Sequence, residues 1–202
     1  SAGETQLVAV EGPEGVGKTT ILAQFARRHP HHSLCLFVSP TSRWAYDPET
    51  IRTELAAQLH WATHQESLEP SAIVDDAFLR THISTLQRRA RQAQQTYFFI
   101  VDGLTDLPED GQTTRDIILK TLLPFGLPGF RFLVSGELTV IGLLIHKSVA
   151  TKSFPLSYFS LDETARYLAD PAIDEQSIQD LHNNCRGMPL HLASVRRLLL
   201  AG

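Results

Sequence analysis

The sequence is short of the residues that cross-link a chain or give it a strong charge of one sign. Two cysteines, Cys35 and Cys185, stand 150 positions apart in 202 residues. They form no Cys-x-x-Cys pair and have no metal-ligand spacing, which excludes a disulfide scaffold and a zinc ribbon. Cys35 falls in the apolar run 34–38 and reads as a small buried hydrophobe. Reduced cysteines suit a cytoplasmic setting. Eighteen Lys and Arg stand against 22 Asp and Glu, a net charge of −4. That balance lacks the basic excess needed to neutralise a phosphate backbone, so a nucleic-acid partner is not expected. Long apolar runs are missing too. The stretch 138–145 is far shorter than the ~20 residues that span a bilayer, so no membrane span is expected. The polar N-terminus contains Glu4 and is not a secretory signal. Internal repeats and low-complexity segments are absent.

What is present is ordinary globular material. Apolar residues make up 43% of the chain, enough for one sizeable packed domain with a small appendage. Residues 7–10 form a short apolar β-type run that ends at a Gly-rich turn. Residues 19–28 follow as a helix with Ile21, Leu22, Phe25 and Ala26 on one face, stopped by Pro30. The continuous run 34–38 predicts a strand buried on both faces. Pro48 opens a helix with Asp47 as its N-cap. A longer helix is predicted over 71–94, with Arg88, Arg89 and Arg91 as its solvated end. Strands over 97–101, 130–134 and 153–156 and a helix over 115–123 complete the alternation. Strands alternating with helices predict a mostly parallel sheet. Beyond it, residues 161–168, 174–184 and 189–200 read as three short helices.

The chemistry is concentrated in Gly12-Pro13-Glu14-Gly15-Val16-Gly17-Lys18-Thr19. This is a full Gly-x-x-x-x-Gly-Lys-Ser/Thr pattern set between a predicted strand and a predicted helix, as its mechanism requires. Glycines let backbone N–H groups turn inward around an anion, and the helix that follows adds its positive end. Lys18 supplies a charge to the β- and γ-phosphates of a nucleotide. The Thr19 hydroxyl is placed to ligate Mg²⁺, and Thr20 to bond the α-phosphate. A second acid is expected at the end of a neighbouring strand, where open α/β sheets bind ligands. Phe98-Phe99-Ile100-Val101-Asp102 provides it, with Asp102 in the Mg²⁺ shell or, alternatively, as a turn former before Gly103. Asp106 is a candidate to orient or deprotonate an attacking water, or else a solvated loop acid. Arg43 is a candidate finger arginine or a surface charge. His29, His31 and His32 have no Cys or carboxylate at ligand spacing and do not read as a metal site.

With these residues in view the chain resembles the signal-transduction ATPases with numerous domains (the STAND group), which include NACHT and NB-ARC modules and are related to AAA+ proteins. Phe99-Ile100-Val101-Asp102-Gly103-Leu104-Thr105-Asp106 is similar to the NACHT acidic motif, although Thr105 replaces the first of the two following acids. Gly187-Met188-Pro189 is similar to the Gly-x-Pro motif that opens a helix of the small helical domain. Phe132-Leu133-Val134-Ser135 is similar to the sensor strand, but Gly136-Glu137 follows where the family has an arginine.

The resemblance implies a three-layer αβα P-loop NTPase core with a parallel sheet over 4–156 and a small helical domain over 157–202. It implies ATP or ADP with Mg²⁺ as cofactors, and Gly187 and Pro189 near the adenine. It further implies a nucleotide-exchange switch with slow hydrolysis, working in defence or cell-death signalling beside effector and sensor domains of a larger protein, and forming a homo-oligomer when activated. The alternatives are a DNA-associated AAA+ loader or remodelling ATPase and a catalytically inert ATP-binding scaffold. A GTPase is disfavoured because no Asn-Lys-x-Asp motif occurs.

Overall fold

The computed structural model describes residues 5–108, 111–168 and 173–201. The chain divides into two compact units. One comprises residues 1–11 with 19–154, the other 12–18 with 155–202.

The first unit is built on a five-stranded sheet. Its strands are β1 (Leu7–Glu11), β2 (Ser33–Phe37), β3 (Tyr97–Asp102), β4 (Phe130–Ser135) and β5 (Thr151–Pro155), in the order β2-β3-β4-β1-β5. The ladders β2/β3, β3/β4 and β4/β1 all run parallel. The pairs Phe37–Asp102, Val101–Val134 and Val10–Ser135 align the C-terminal ends of these four strands along one edge. Alternate residues of β3 face opposite ways. Phe98 meets Phe25 of α1 (Lys18–Arg28) edge-on at 4.9 Å. Phe99 instead joins Leu55 and Leu59 of α2 (Pro48–His64) and Leu86 of α3 (Asp76–Ala93) in the main core. Helices thus cover both faces of the inner sheet, which explains why β1 and β3 are apolar without alternation, whereas the edge strand β5 is mostly exposed.

Helix ends follow their caps. Asp47 accepts the N–H of Thr50, with Pro48 opening α2. The long helix starts later than position 71, because the Asp75 carboxylate accepts the N–H of Phe78 and fixes the first turn there. Arg88, Arg89 and Arg91 are exposed, as expected of a solvated helix end, and Arg89 has a further role. Its guanidinium donates to Ala62 O at 3.0 Å and Thr63 O at 2.6 Å, satisfying orphan carbonyls at the end of α2. Helix α4 (Gln112–Ile117) widens into a π turn over Ile118–Leu122, where Leu123 N–H reaches Ile118 O. The apolar stretch after β4 opens as a short helix, α5 (Leu138–Gly142). Cys35 is half-buried rather than fully enclosed, and burial pushes its thiol up to about 11, so it stays protonated.

The second unit holds α6 (Leu161–Leu168), α7 (Glu175–Cys185) and α8 (Pro189–Ala201) around Leu168, Cys185 and Leu192. A capping box starts α6. Ser160 N donates to Glu163 and Glu163 N donates to Ser160 Oγ. Among the described residues no helix is long and apolar enough to cross a membrane.

The last residue of β1 ties three elements of the sheet unit together. The Glu11 carboxylate accepts the Ser153 hydroxyl from β5 and the Leu138 N–H that opens α5. The serine hydrogen bond first, then the amide, holds its carboxyl below the usual range. A depressed folded pKa stabilises the fold above the unfolded value and ceases to do so as pH falls through the folded one. Glu11→Gln is therefore expected to lower the thermal midpoint near pH 7, with the difference from the unsubstituted protein shrinking below about pH 4. Differential scanning calorimetry across that range checks it, and a pH-independent difference contradicts it.

Candidate functional site

The candidate residues fall into two groups, one in each unit. The phosphate-loop group comprises Gly12 to Lys18, following β1 and leading into α1. Gly12, Gly15 and Gly17 all have positive φ, at 147°, 72° and 101°. Pro13 and Glu14 are exposed at the tip and Val16 is buried. The Lys18 ammonium donates to Gly12 O at 2.8 Å and Pro13 O at 3.1 Å. Its charge is thereby held across the loop by the loop's own carbonyls, ready to exchange those weak partners for phosphate oxygens.

The same unit brings the predicted Gly-x-Pro residues to this loop. Gly187 is buried with φ at 65° and follows Arg186, itself left-handed, where α7 ends. Pro189 occupies the first position of α8. Between them, Met188 lies against Gly15. A Cβ on Gly15 would come within 2.9 Å of the Met188 sulfur. The Leu190 N–H donates to Gly15 O at 3.1 Å, and the Tyr158 hydroxyl donates to Glu14 O at 3.1 Å. Neither Tyr158 nor Met188 carries a sequence signal for this role; only Gly187 and Pro189 do.

The acidic group belongs to the sheet unit. Asp102 closes β3 and is only 7% exposed. Its carboxylate accepts the hydroxyl of Thr19, in the first turn of α1, at 2.6 Å. Thr20 is exposed beside it. The strand carrying this acid is not the neighbour of β1, contrary to the sequence-based expectation, because β4 stands between them. A hydroxyl and a carboxylate are all-oxygen donors, the set that suits a hard cation such as Mg²⁺, so these residues fit the ion. Asp106 ends a 3-10 turn over Leu104–Asp106, is exposed, and accepts a long hydrogen bond from Thr105 at 3.5 Å. Arg43 is exposed at the start of the 3-10 turn Arg43–Tyr46.

Ser135 has a role that the sequence does not announce. It is buried, 1% exposed, and its Oγ accepts the Gly103 N–H at 2.9 Å, bracing the turn after Asp102. The next residue, Gly136, has φ at 133°, and a Cβ there would overlap the Thr105 side chain. The two positions that depart from the family pattern, Thr105 and Gly136, are therefore in contact with each other.

A parallel sheet with flanking helices, a glycine loop entering a helix and a buried strand-end acid together define the class of P-loop NTPases. Within it, the chain belongs to the NACHT family, whose domain model matches residues 6–175. Among solved structures it is similar to Cdc6p from Pyrobaculum aerophilum, with 14% identity and a TM-score of 0.52 over 87% of this chain and 47% of that one. It is also similar to the RuvB Holliday junction branch migration motor of Thermotoga maritima, at 12% identity, a TM-score of 0.48, 95% of this chain and 53% of that one. The chain spans about half the length of these proteins. No curated protein matches it.

Removing the Ser135 hydroxyl strands a buried N–H. Ser135→Ala is expected to cost about 1–3 kcal/mol of unfolding free energy. Urea denaturation measures it, and an unchanged midpoint would show that the Gly103 amide finds another partner.

Proposed function

We propose that this NACHT domain is an ATP/ADP-dependent switch of the STAND type, cut from a larger cytoplasmic protein of defence or cell-death signalling. Residues 4–156 form its nucleotide-binding core and residues 157–202 its helical domain. Three contacts carry the reading: Met188 against Gly15, Leu190 N–H to Gly15 O and Tyr158 to Glu14 O. A loop held this way cannot change its backbone around a phosphate without disturbing the segment that opens α8. ADP then favours the resting form. Exchange for ATP shifts the population toward a form that self-associates, because the γ-phosphate makes different contacts in the two forms.

The roles follow from chemistry. The backbone N–H groups of Gly12, Glu14, Gly15 and Gly17 cradle the phosphates, while Pro13, which has no N–H, and Val16, whose N–H goes to Pro13 O, shape the turn. Lys18 gives up its bonds to the Gly12 and Pro13 carbonyls and neutralises β- and γ-phosphate oxygens. Thr20 bonds the α-phosphate, and Gly187 and Pro189 border the adenine. Bound Mg²⁺, held by Thr19 and by Asp102, would neutralise phosphate charge. Asp106 orients the attacking water. Its exposure and its long bond to Thr105 favour slow hydrolysis that resets the switch.

A second reading, an ATP-binding scaffold without catalysis, is favoured by one observation. Thr105 fills the space that Gly136 leaves open, so neither the missing acid nor the missing arginine has an evident substitute. Single-turnover assays separate the two. The switch releases phosphate slowly but measurably, whereas the scaffold releases none.

The test of the leading reading begins with the protein as purified. Denaturation and chromatography of the supernatant are expected to yield close to one equivalent of ADP per chain. Lys18→Ala is expected to arrive empty and to bind at least about 100-fold more weakly, as loss of a charge-assisted phosphate contact requires. Nucleotide content unchanged by this substitution refutes the assignment.

A further inference from the structure

The sheet unit holds a cluster of imidazoles that nucleotide chemistry does not use. His60 and His64 are four residues apart on α2, which puts them on one helix face. His82 comes from α3. One ring nitrogen from each lies within 4.8 Å of the others. The spacing on α2 is legible in the sequence, but the third histidine enters only through the packing of α3.

The rings are oriented by hydrogen bonds that fix which nitrogen is free. His82 Nδ1 lies 2.9 Å from Phe78 O. A carbonyl can only accept, so Nδ1 carries the proton and Nε2 presents its lone pair. That Nε2 is 3.3 Å from His60 Nδ1. His64 Nδ1 lies 2.8 Å from Thr63 Oγ1 and 3.3 Å from His60 O, which leaves Nε2 as its free nitrogen. An imidazole whose second nitrogen donates to a backbone or hydroxyl oxygen is the usual form of a metal-bound histidine.

The distances agree. Tetrahedral coordination with metal–nitrogen bonds of about 2.1 Å sets ligand nitrogens roughly 3.4 Å apart. One pair is already at 3.3 Å, and small side-chain rotations bring in the third. His60 and His64 occupy the last turn of α2, where the helix dipole favours a cation. The Arg89 guanidinium, hydrogen-bonded to Ala62 O and Thr63 O at this same end, opposes a second cation, and the Glu66 carboxylate acts on His60 in the opposite sense. His82, 8% exposed, is fixed by Phe78 stacked on it at 4.1 Å. His64 is exposed, which leaves water access for a fourth ligand.

We propose that His60, His64 and His82 form a binding site for a divalent transition metal ion, Zn²⁺ fitting the ligands best. Three nitrogen donors with solvent access suit Zn²⁺ and disfavour Mg²⁺, which the oxygen pair of Thr19 and Asp102 suits instead. In the metal-free chain the His60 Nδ1 proton is shared with His82 Nε2. On metal binding that proton moves to His60 Nε2, so both nitrogens can coordinate without net proton loss.

The probe is Co²⁺, added to untagged, chelator-treated protein and followed by visible absorption. One equivalent is expected to bind with d–d bands and no thiolate charge-transfer band, and Zn²⁺ is expected to displace it. His64→Ala and His60→Ala, each verified as folded by circular dichroism, are expected to weaken Co²⁺ binding at least about 100-fold. His31→Ala, outside the cluster, is expected to bind as the unsubstituted protein does. No stoichiometric Co²⁺ uptake, or uptake that survives both cluster substitutions, overturns the proposal and leaves the three rings as packing alone.

Discussion

A single hydrogen bond shows what the sheet must accomplish. Thr19, in the first turn of α1, donates its hydroxyl to Asp102 at the end of β3, 2.6 Å away. The two residues are 83 positions apart, and β4 separates the strand before the loop from the strand that bears the acid. The bond therefore depends on two successive parallel ladders ending level, Val10 with Ser135 and Val101 with Val134. A slip of one residue in either would move the carboxylate by about 3.3 Å and turn its side chain to the other face. The large buried side chains Phe99, Phe130 and Phe132 lie on these inner strands, where they hold that register.

The phosphate loop is constrained from a different side. Its glycines satisfy backbone conformations that other residues adopt only with strain, and its carbonyls are occupied by Lys18, Leu190 N–H and the Tyr158 hydroxyl. Its geometry is thus coupled to the segment leading into α8. In the sheet unit, Thr105 against Gly136 shows a second coupling. Any side chain placed at Gly136 would meet Thr105, so an arginine there requires a change at Thr105 as well.

Much of this was legible in the sequence, for reasons that differ from place to place. Residues 12–19 are legible because the chemistry of phosphate binding demands particular residue types at fixed spacing. β3 is legible because a strand covered on both faces must be apolar throughout, and α2 because Asp47 and Pro48 mark its start. The strand order is not legible, since apolar runs do not say which neighbour they will pair with. Nor is the start of α3, where the Asp75 cap overrides a helical pattern that extends further back. Ser135, Arg89 and the grouping of His82 with His60 and His64 depend on contacts between residues 18 to 32 positions apart, which no local pattern encodes. The sequence-based dismissal of histidine chemistry rested on His29, His31 and His32, and the cluster forms elsewhere.

The central claim is that bent backbone, helix tip and Lys18 grip a polyphosphate, with the base contributing less. Calorimetric titration of nucleotide-free, folded protein in Mg²⁺ with ADP, and separately with adenosine, tests it directly. The account predicts saturable one-to-one binding of ADP and no measurable heat from adenosine, because the phosphates carry the affinity. Equal binding of both, or no heat from ADP, would contradict it.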